Sequence, residues 1–288
     1  MSRPPTSPYR IRPAGLAAVA LAGMLCLALP AAALQAAPEA DPWPRWERHN
    51  DRNGLHIDHG AWREFLQRNL LVEHPSGIHR VDYAAVTRVD RLILDGYVKL
   101  LAGLPISTYS RVEQKAYWIN LYNALTVQVV LDHYPVKSIL DIDISPGVFS
   151  NGPWGAKLLR IEGEAVSLDD IEHRILRPLW RDPRVHYALN CASLGCPNLA
   201  REAYATFNIE RLLEAGARAY VNHPRGVRFA GDTLVVSSLY VWFQADFGDS
   251  REGVLAHLRR YAAPALAERL AGWSGGYDHA YDWALNAP

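Results

Sequence analysis

The stretch from Ser110 to His133 constrains this chain more than any other. Tyr117, Trp118, Leu121, Tyr122, Leu125, Val129 and Val130 cover nearly every face of a helix drawn through it, so such a helix has no side to give to water. It must run through the middle of a domain, with other elements packed around it. Ser110 is placed to cap it, Glu113 stands three positions on, and Pro135 closes it just beyond His133. At roughly 100° per residue, Glu113, Asn120 and Asn123 fall within about 80° of one another, which gives the core helix a single polar stripe. Buried amides and carboxylates must find partners. The chain of 288 residues, 49% apolar, is long enough to supply the surrounding layers.

Those layers are legible as alternating helix and turn signals. Apolar residues recur at helical spacing over 60–69 and 83–104. Lys157–Ile161 and Ala165–Ser167 read as a β-hairpin around Gly163, and Ser167 then caps a helix through Leu176 that Pro178 ends. Asp169 and Asp170 lie in its first turn, where they oppose the helix dipole. Arg184–Asn190 reads as a strand, Asn208 caps a helix to about Asn222, a second hairpin spans 227–236 over Gly231-Asp232, and a late helix covers 253–262. The expected class is α+β, with helices around a small mixed or antiparallel sheet.

The first 37 residues follow another rule. Arg3, Arg10 and Arg12 precede a charge-free apolar run from Ala14 to Leu34, and small residues follow at 31–33 and 36–37. This pattern predicts a cleaved signal peptide and a periplasmic or secreted protein; the competing reading is an uncleaved membrane anchor. Residues 38–59, polar and rich in Pro, Trp, Arg and His, are expected to form an arm on the surface, and 60–288 a single domain. Lysine plus arginine equals aspartate plus glutamate at 30 each, which gives no basic field for a nucleic acid. No apolar run after the leader is long enough to span a membrane.

Beyond the leader only two cysteines remain, both in Asn190-Cys191-Ala192-Ser193-Leu194-Gly195-Cys196-Pro197, a tight loop of the kind that presents chemistry. Three readings compete. Cys191 and Cys196 form a disulfide that clamps the loop, as an oxidising compartment favours. Alternatively Cys191 is a thiolate nucleophile activated by an imidazole, with loop groups such as Asn190 and Ser193 at the oxyanion position. In the third, His186, Cys191 and Cys196 hold a metal, but the spacing lacks a C-x-x-C knuckle and no fourth ligand is evident, so neither metal nor cofactor is expected. A base for the second reading comes from His173 or His186. Residues 186 and 191 would point to opposite faces of a regular strand, so His186 reaches Cys191 only if the strand ends or bulges between them. Trp242, Phe243 and Phe247 with Asp246 fit either core packing or a groove for a peptide or glycan.

The runs Glu113–Ala124, Tyr134–Ile139, Ser167–His173 with Leu176-Arg177, and Arg184–Ser193 with Cys196-Pro197, in this order and spacing and continuing to Trp242-Phe243 and Asp246-Phe247, resemble the domain-of-unknown-function 547 family. The resemblance spans roughly residues 60–265. It implies an exported protein with a distant similarity to papain-like and transglutaminase-like folds, in which a cysteine at a helix start works with a histidine and a polar third residue. Carried onto this chain, it makes Cys191 the nucleophile, His173 or His186 the base, and Glu113, Asn120 or Asn123 the orienting or oxyanion groups. The expected function is then a cysteine hydrolase or acyltransferase acting on an amide-type bond in a peptide or cell-wall fragment. The alternative is a non-catalytic envelope protein that binds a peptide or envelope component, with Cys191 and Cys196 joined.

Overall fold

Among the described residues the first three α-helices are α1 (Gly60–Asn69), α2 (Arg88–Ala102) and α3 (Arg111–His133). In this computed structural model, which describes Met1 and residues 38–147 and 151–288, every residue of α3 from 113 to 127 is buried. The expected leader and cleavage site lie outside the described residues. Ser110 caps α3 by accepting from the Glu113 N–H, as the sequence predicts. Helix α2 begins five residues later than its apolar spacing suggests, because Thr87 and Asp90 close a reciprocal capping box there. Tyr83 is spent elsewhere and donates its hydroxyl to Asn286 Oδ1.

The strands are short. Strand β1 (Leu70–Leu71) pairs with β2 (Arg80–Val81), and β3 (Leu159–Ile161) with β4 (Glu164–Val166), both antiparallel. The turn between β3 and β4 places Glu162 and Gly163 at φ 47° and 89°, the twin left-handed conformation that a two-residue hairpin needs. Later, β5 (Val227–Ala230) and β6 (Thr233–Ser237) form the predicted hairpin, and β7 (Tyr277–Ala280) adds to β6 in parallel. Helices α4 (Arg177–Trp180), α5 (Ile209–Val221), α6 (Leu239–Trp242), α7 (Arg251–Tyr261) and α8 (Pro264–Ala271) complete the set. The architecture is α+β, with helices predominating over small sheets. Two apolar clusters form, one around α3 and one joining Tyr187 to α5, β6 and α7. Among the described residues no helix is long and apolar enough to cross a membrane.

Two local expectations are corrected. Arg184–Asn190 is no strand: Pro183–Tyr187 is a 3-10 helix, started by Pro183 in its first turn and by the Asp182 side chain accepting from the Arg184 N–H. The opposite-face argument for His186 therefore does not apply. The helix capped by Ser167 does not stop at Pro178 either; Asp170–Leu176 is a π-helix that runs directly into α4. Pro178 carries no N–H, so the carbonyls of His173 and Arg174 lose the donors five and four residues ahead. The arm supplies replacements: the Asp41 N–H donates to His173 O and the Trp43 N–H to Arg174 O. Trp46, three residues on, is buried and meets Trp118 of α3 edge to face, with centroids 5.1 Å apart.

The segment after β7 is a strap over the cysteine loop. Leu194 and Gly195 donate to the carbonyls of Ala284 and Asp282, and Asn286 donates to Ala192 O. Any side chain at Gly195 would come within 2.9 Å of the Asp282 backbone and the Tyr281 ring, so only glycine permits this approach.

Candidate functional site

The π-helix turns Glu172 and His173 inward, α4 adds Arg177, the 3-10 helix adds His186, and the turn at 244–247 brings Asp246 from far along the chain. His186 is buried between two carboxylates: Nε2 donates to Asp246 Oδ2 at 2.7 Å, and Nδ1 lies 3.5 Å from Glu172 Oε1. Its ring stacks on Phe243 with centroids 4.2 Å apart. Arg177 Nε donates to the same Asp246 oxygen at 2.6 Å, Nη1 donates to Pro38 O and to His173 Nδ1, and the guanidinium covers the other aromatic contact over Phe243. A cavity of about 310 Å³ opens beside this cluster, walled by Arg177, Arg181, Asp182 and Asp246 and by Ala40 and Pro42 of the arm.

The charges can be assigned from the contacts. Burial works against a charged His186, yet the hydrogen bonds to Asp246 and Glu172 outweigh it and raise its pKa. Burial also opposes the charge on Glu172, but His173, His186 and Arg177 hold that carboxyl down to about 2. Asp246, likewise opposed by burial, is held at about 2 by His186 and Arg177. For His173 burial prevails and lowers the pKa to about 4, with Arg177 adding to the effect. His173 is therefore neutral near pH 7. Since its Nδ1 accepts from Arg177, its proton sits on Nε2, facing Asp169 Oδ1 at 3.6 Å. Asp169 is itself pushed up to about 6 by burial and by its acidic neighbours Glu172 and Asp170.

The cysteines lie on the loop under the strap. Cys191 and Cys196 are joined by a disulfide, with Cα atoms 6.1 Å apart. The hydrogen-bonding partners of Cys191 Sγ are the hydroxyls of Ser193 and Tyr281, at 3.3 and 3.1 Å; no imidazole is among them. Ala192, between them, has φ 60° and is held there by Asn190 Oδ1, which accepts its N–H. Asn190 Nδ2 donates to Pro197 O and so closes the loop from inside.

The polar stripe of α3 is divided among three tasks. Glu113 accepts from the Ile57 N–H and pairs with His56, which fixes the end of the arm. Asn120 grips the backbone of Tyr204 through both its amide groups. Asn123 donates to Ala188 O and accepts from the Asn190 N–H, so it alone of the three supports the cysteine loop. Of the residues proposed from sequence, the fold thus brings His173 and His186 together in one cluster and Cys191, Cys196, Ser193 and Asn190 in another. Glu172, Arg177 and Asp246 emerge as the groups that set the charge of both imidazoles. The spacing of His173 and Arg177, four apart on a helix, was a signal for one of these contacts. No sequence pattern ties His186 to Asp246, sixty residues away.

Residues 106–221 match the family model described as "Protein of unknown function, DUF547". Over that stretch the chain is similar to the DUF547 family. No curated protein and no solved structure matches the chain. The match is narrower than the stretch over which the sequence motifs run, yet it includes α3, the π-helix, His186 and both cysteines. Asp246 and the strap lie beyond it. The charged cluster therefore joins groups from within the DUF547 match to a carboxylate from outside it. Among the described residues no group of three or more His, Cys, Asp or Glu side chains is arranged to hold a metal ion.

Proposed function

We propose that this protein is exported and acts as a non-catalytic binding protein of the cell envelope, using the cavity beside His186, with Cys191–Cys196 as a structural clamp. One observation carries the reading: no free lone pair and no free thiol face one another. His186 is engaged at both nitrogens by carboxylates, His173 has its only acceptor nitrogen taken by Arg177, and Cys191 is bonded to Cys196. A general base needs an unprotonated nitrogen within hydrogen-bond reach of the proton it removes. A disulfide also accords with an oxidising compartment.

A second reading, the cysteine hydrolase or acyltransferase, draws on a different observation. The hydroxyls of Ser193 and Tyr281 both lie against Cys191 Sγ and could donate to a thiolate if the bond were reduced.

Alkylation by iodoacetamide separates the two. For a clamp, neither cysteine of the native protein is labelled without reductant, and after reduction the rate at Cys191 rises with pH as for an ordinary thiol, near 8.5. Rapid labelling of reduced Cys191 at pH 6, abolished by Cys191→Ala, would overturn the binding-protein proposal in favour of the enzyme.

A further inference from the structure

We propose that the cavity takes a small amino-carboxylate, either a free amino acid or the end of a short peptide, with Arg181 and Arg177 gripping its carboxylate and Asp246 its ammonium group. The proposal rests on the reading of this cavity as the binding site and names what it binds.

The polar atoms on its walls divide into those already engaged and those left over. Asp182 is fully occupied: Oδ1 accepts from Arg184 N and Nε, and Oδ2 from Lys115 Nζ and Arg184 Nη2. It has nothing left for a ligand. Arg177 uses Nε and Nη1 on Asp246, Pro38 and His173, but Nη2 has no partner among the described residues. Asp246 takes both its donors on Oδ2, from Arg177 and His186, and Oδ1 has none among the described residues. The side chain of Arg181 makes no hydrogen bond or ion pair with any described residue, although it lines the cavity. What remains is two guanidinium donors and one carboxylate oxygen, the complement of a ligand bearing one carboxylate and one ammonium.

The backbone at Arg181 adds a second observation. It caps α4 in the left-handed conformation, φ 48°, a position where glycine is the unstrained residue. The chain places an arginine there, with an exposed side chain on the cavity wall. The volume of about 310 Å³ is at the small end of ligand cavities, which suits a molecule of one or two residues. The walls include Ala40 and Pro42, so the docked arm is part of the site.

Calorimetric titration of the full chain with L-alanine, L-alanyl-L-alanine, acetate and methylammonium chloride tests this. Saturable binding is expected for the first two, weaker binding for acetate, and none for methylammonium; a preference between alanine and the dipeptide distinguishes a free amino acid from a peptide end. Arg181→Gln is expected to weaken binding about tenfold or more, as loss of a charge-assisted hydrogen bond does, while Arg181→Lys retains part of it. Urea unfolding of Arg181→Gln should match the parent, because the side chain is exposed and makes no internal bond. Absence of saturable binding by every carboxylate at millimolar concentration, or equal binding by parent and Arg181→Gln, overturns the ligand assignment. Iodoacetamide labelling reports on the clamp independently, so failure here and failure there are separate results.

Discussion

His186 is a buried imidazole held between two carboxylates. Its removal leaves Glu172 without its closest ion partner and Asp246 with Arg177 alone. Breaking a buried charge pair from one side is far more damaging than replacing the whole pair. His186→Gln should therefore destabilise the protein by about 3 kcal/mol in urea, and adding Glu172→Gln should recover part of the loss. The same groups fix the pH profile. Glu172 and Asp246, held at about 2 in the native state, contribute stability that is present above their unfolded values and is lost as pH falls from about 5 toward 2. His173, at about 4 when folded, adds loss of the same sign as pH drops from 6.5 to 4. His186 acts in the opposite sense: its raised pKa contributes stability that is complete below 6.5 and disappears as pH climbs through the native value. Urea midpoints measured across pH should pass through a maximum, and the decline just above 6.5 should be smaller in His186→Gln.

At the scale of elements, Pro178 decides how the arm docks. It offers no N–H to the carbonyls of His173 and Arg174, and the amides of Asp41 and Trp43 donate to them. Pro178→Ala restores a competing N–H, so hydrogen exchange at Asp41 and Trp43 should accelerate while exchange in α3 is unchanged. Pro178 suggests a helix end by sequence, whereas the helix runs through it and the arm supplies the missing donors, from a segment with no helical or strand signal. The same division holds elsewhere. Helix α3 was legible because its caps and apolar period are local, and so was the hairpin of β5 and β6, closed at Gly231. Pro183–Tyr187 misled because Val185, Tyr187 and Leu189 alternate as a strand does, whereas the Asp182 cap and Pro183 bend the backbone into a 3-10 turn. At the candidate site, the two histidines and the cysteine loop stood out by residue type, but the carboxylate joining them to the cavity arrives from a remote turn. The disulfide closes a loop of six residues, 191–196, for which chain-entropy arguments give about 2 kcal/mol. Cys196→Ser should lower stability by about that amount, read from the urea midpoint.

For the whole molecule, the strap from 281 to 287 matters out of proportion to its length. It reaches the cysteine loop, the backbone of Lys137 and strand β2: Leu285 donates to Lys137 O, Val81 donates to Asn286 O, and Asn286 Nδ2 donates to Asn190 Oδ1. Deleting 281–288 should therefore speed reduction of Cys191–Cys196 by dithiothreitol at least about tenfold, since Cys196 is buried beneath Tyr281 and disulfide exchange depends on access. Tyr281 follows Cys191 by ninety residues. A ribosome works from the amino end, so both thiols emerge well before their cover has been made. An oxidant present at that stage would meet them in an open loop; a reductant arriving after folding finds them roofed over. The order of synthesis thus makes this bond easy to form and slow to undo.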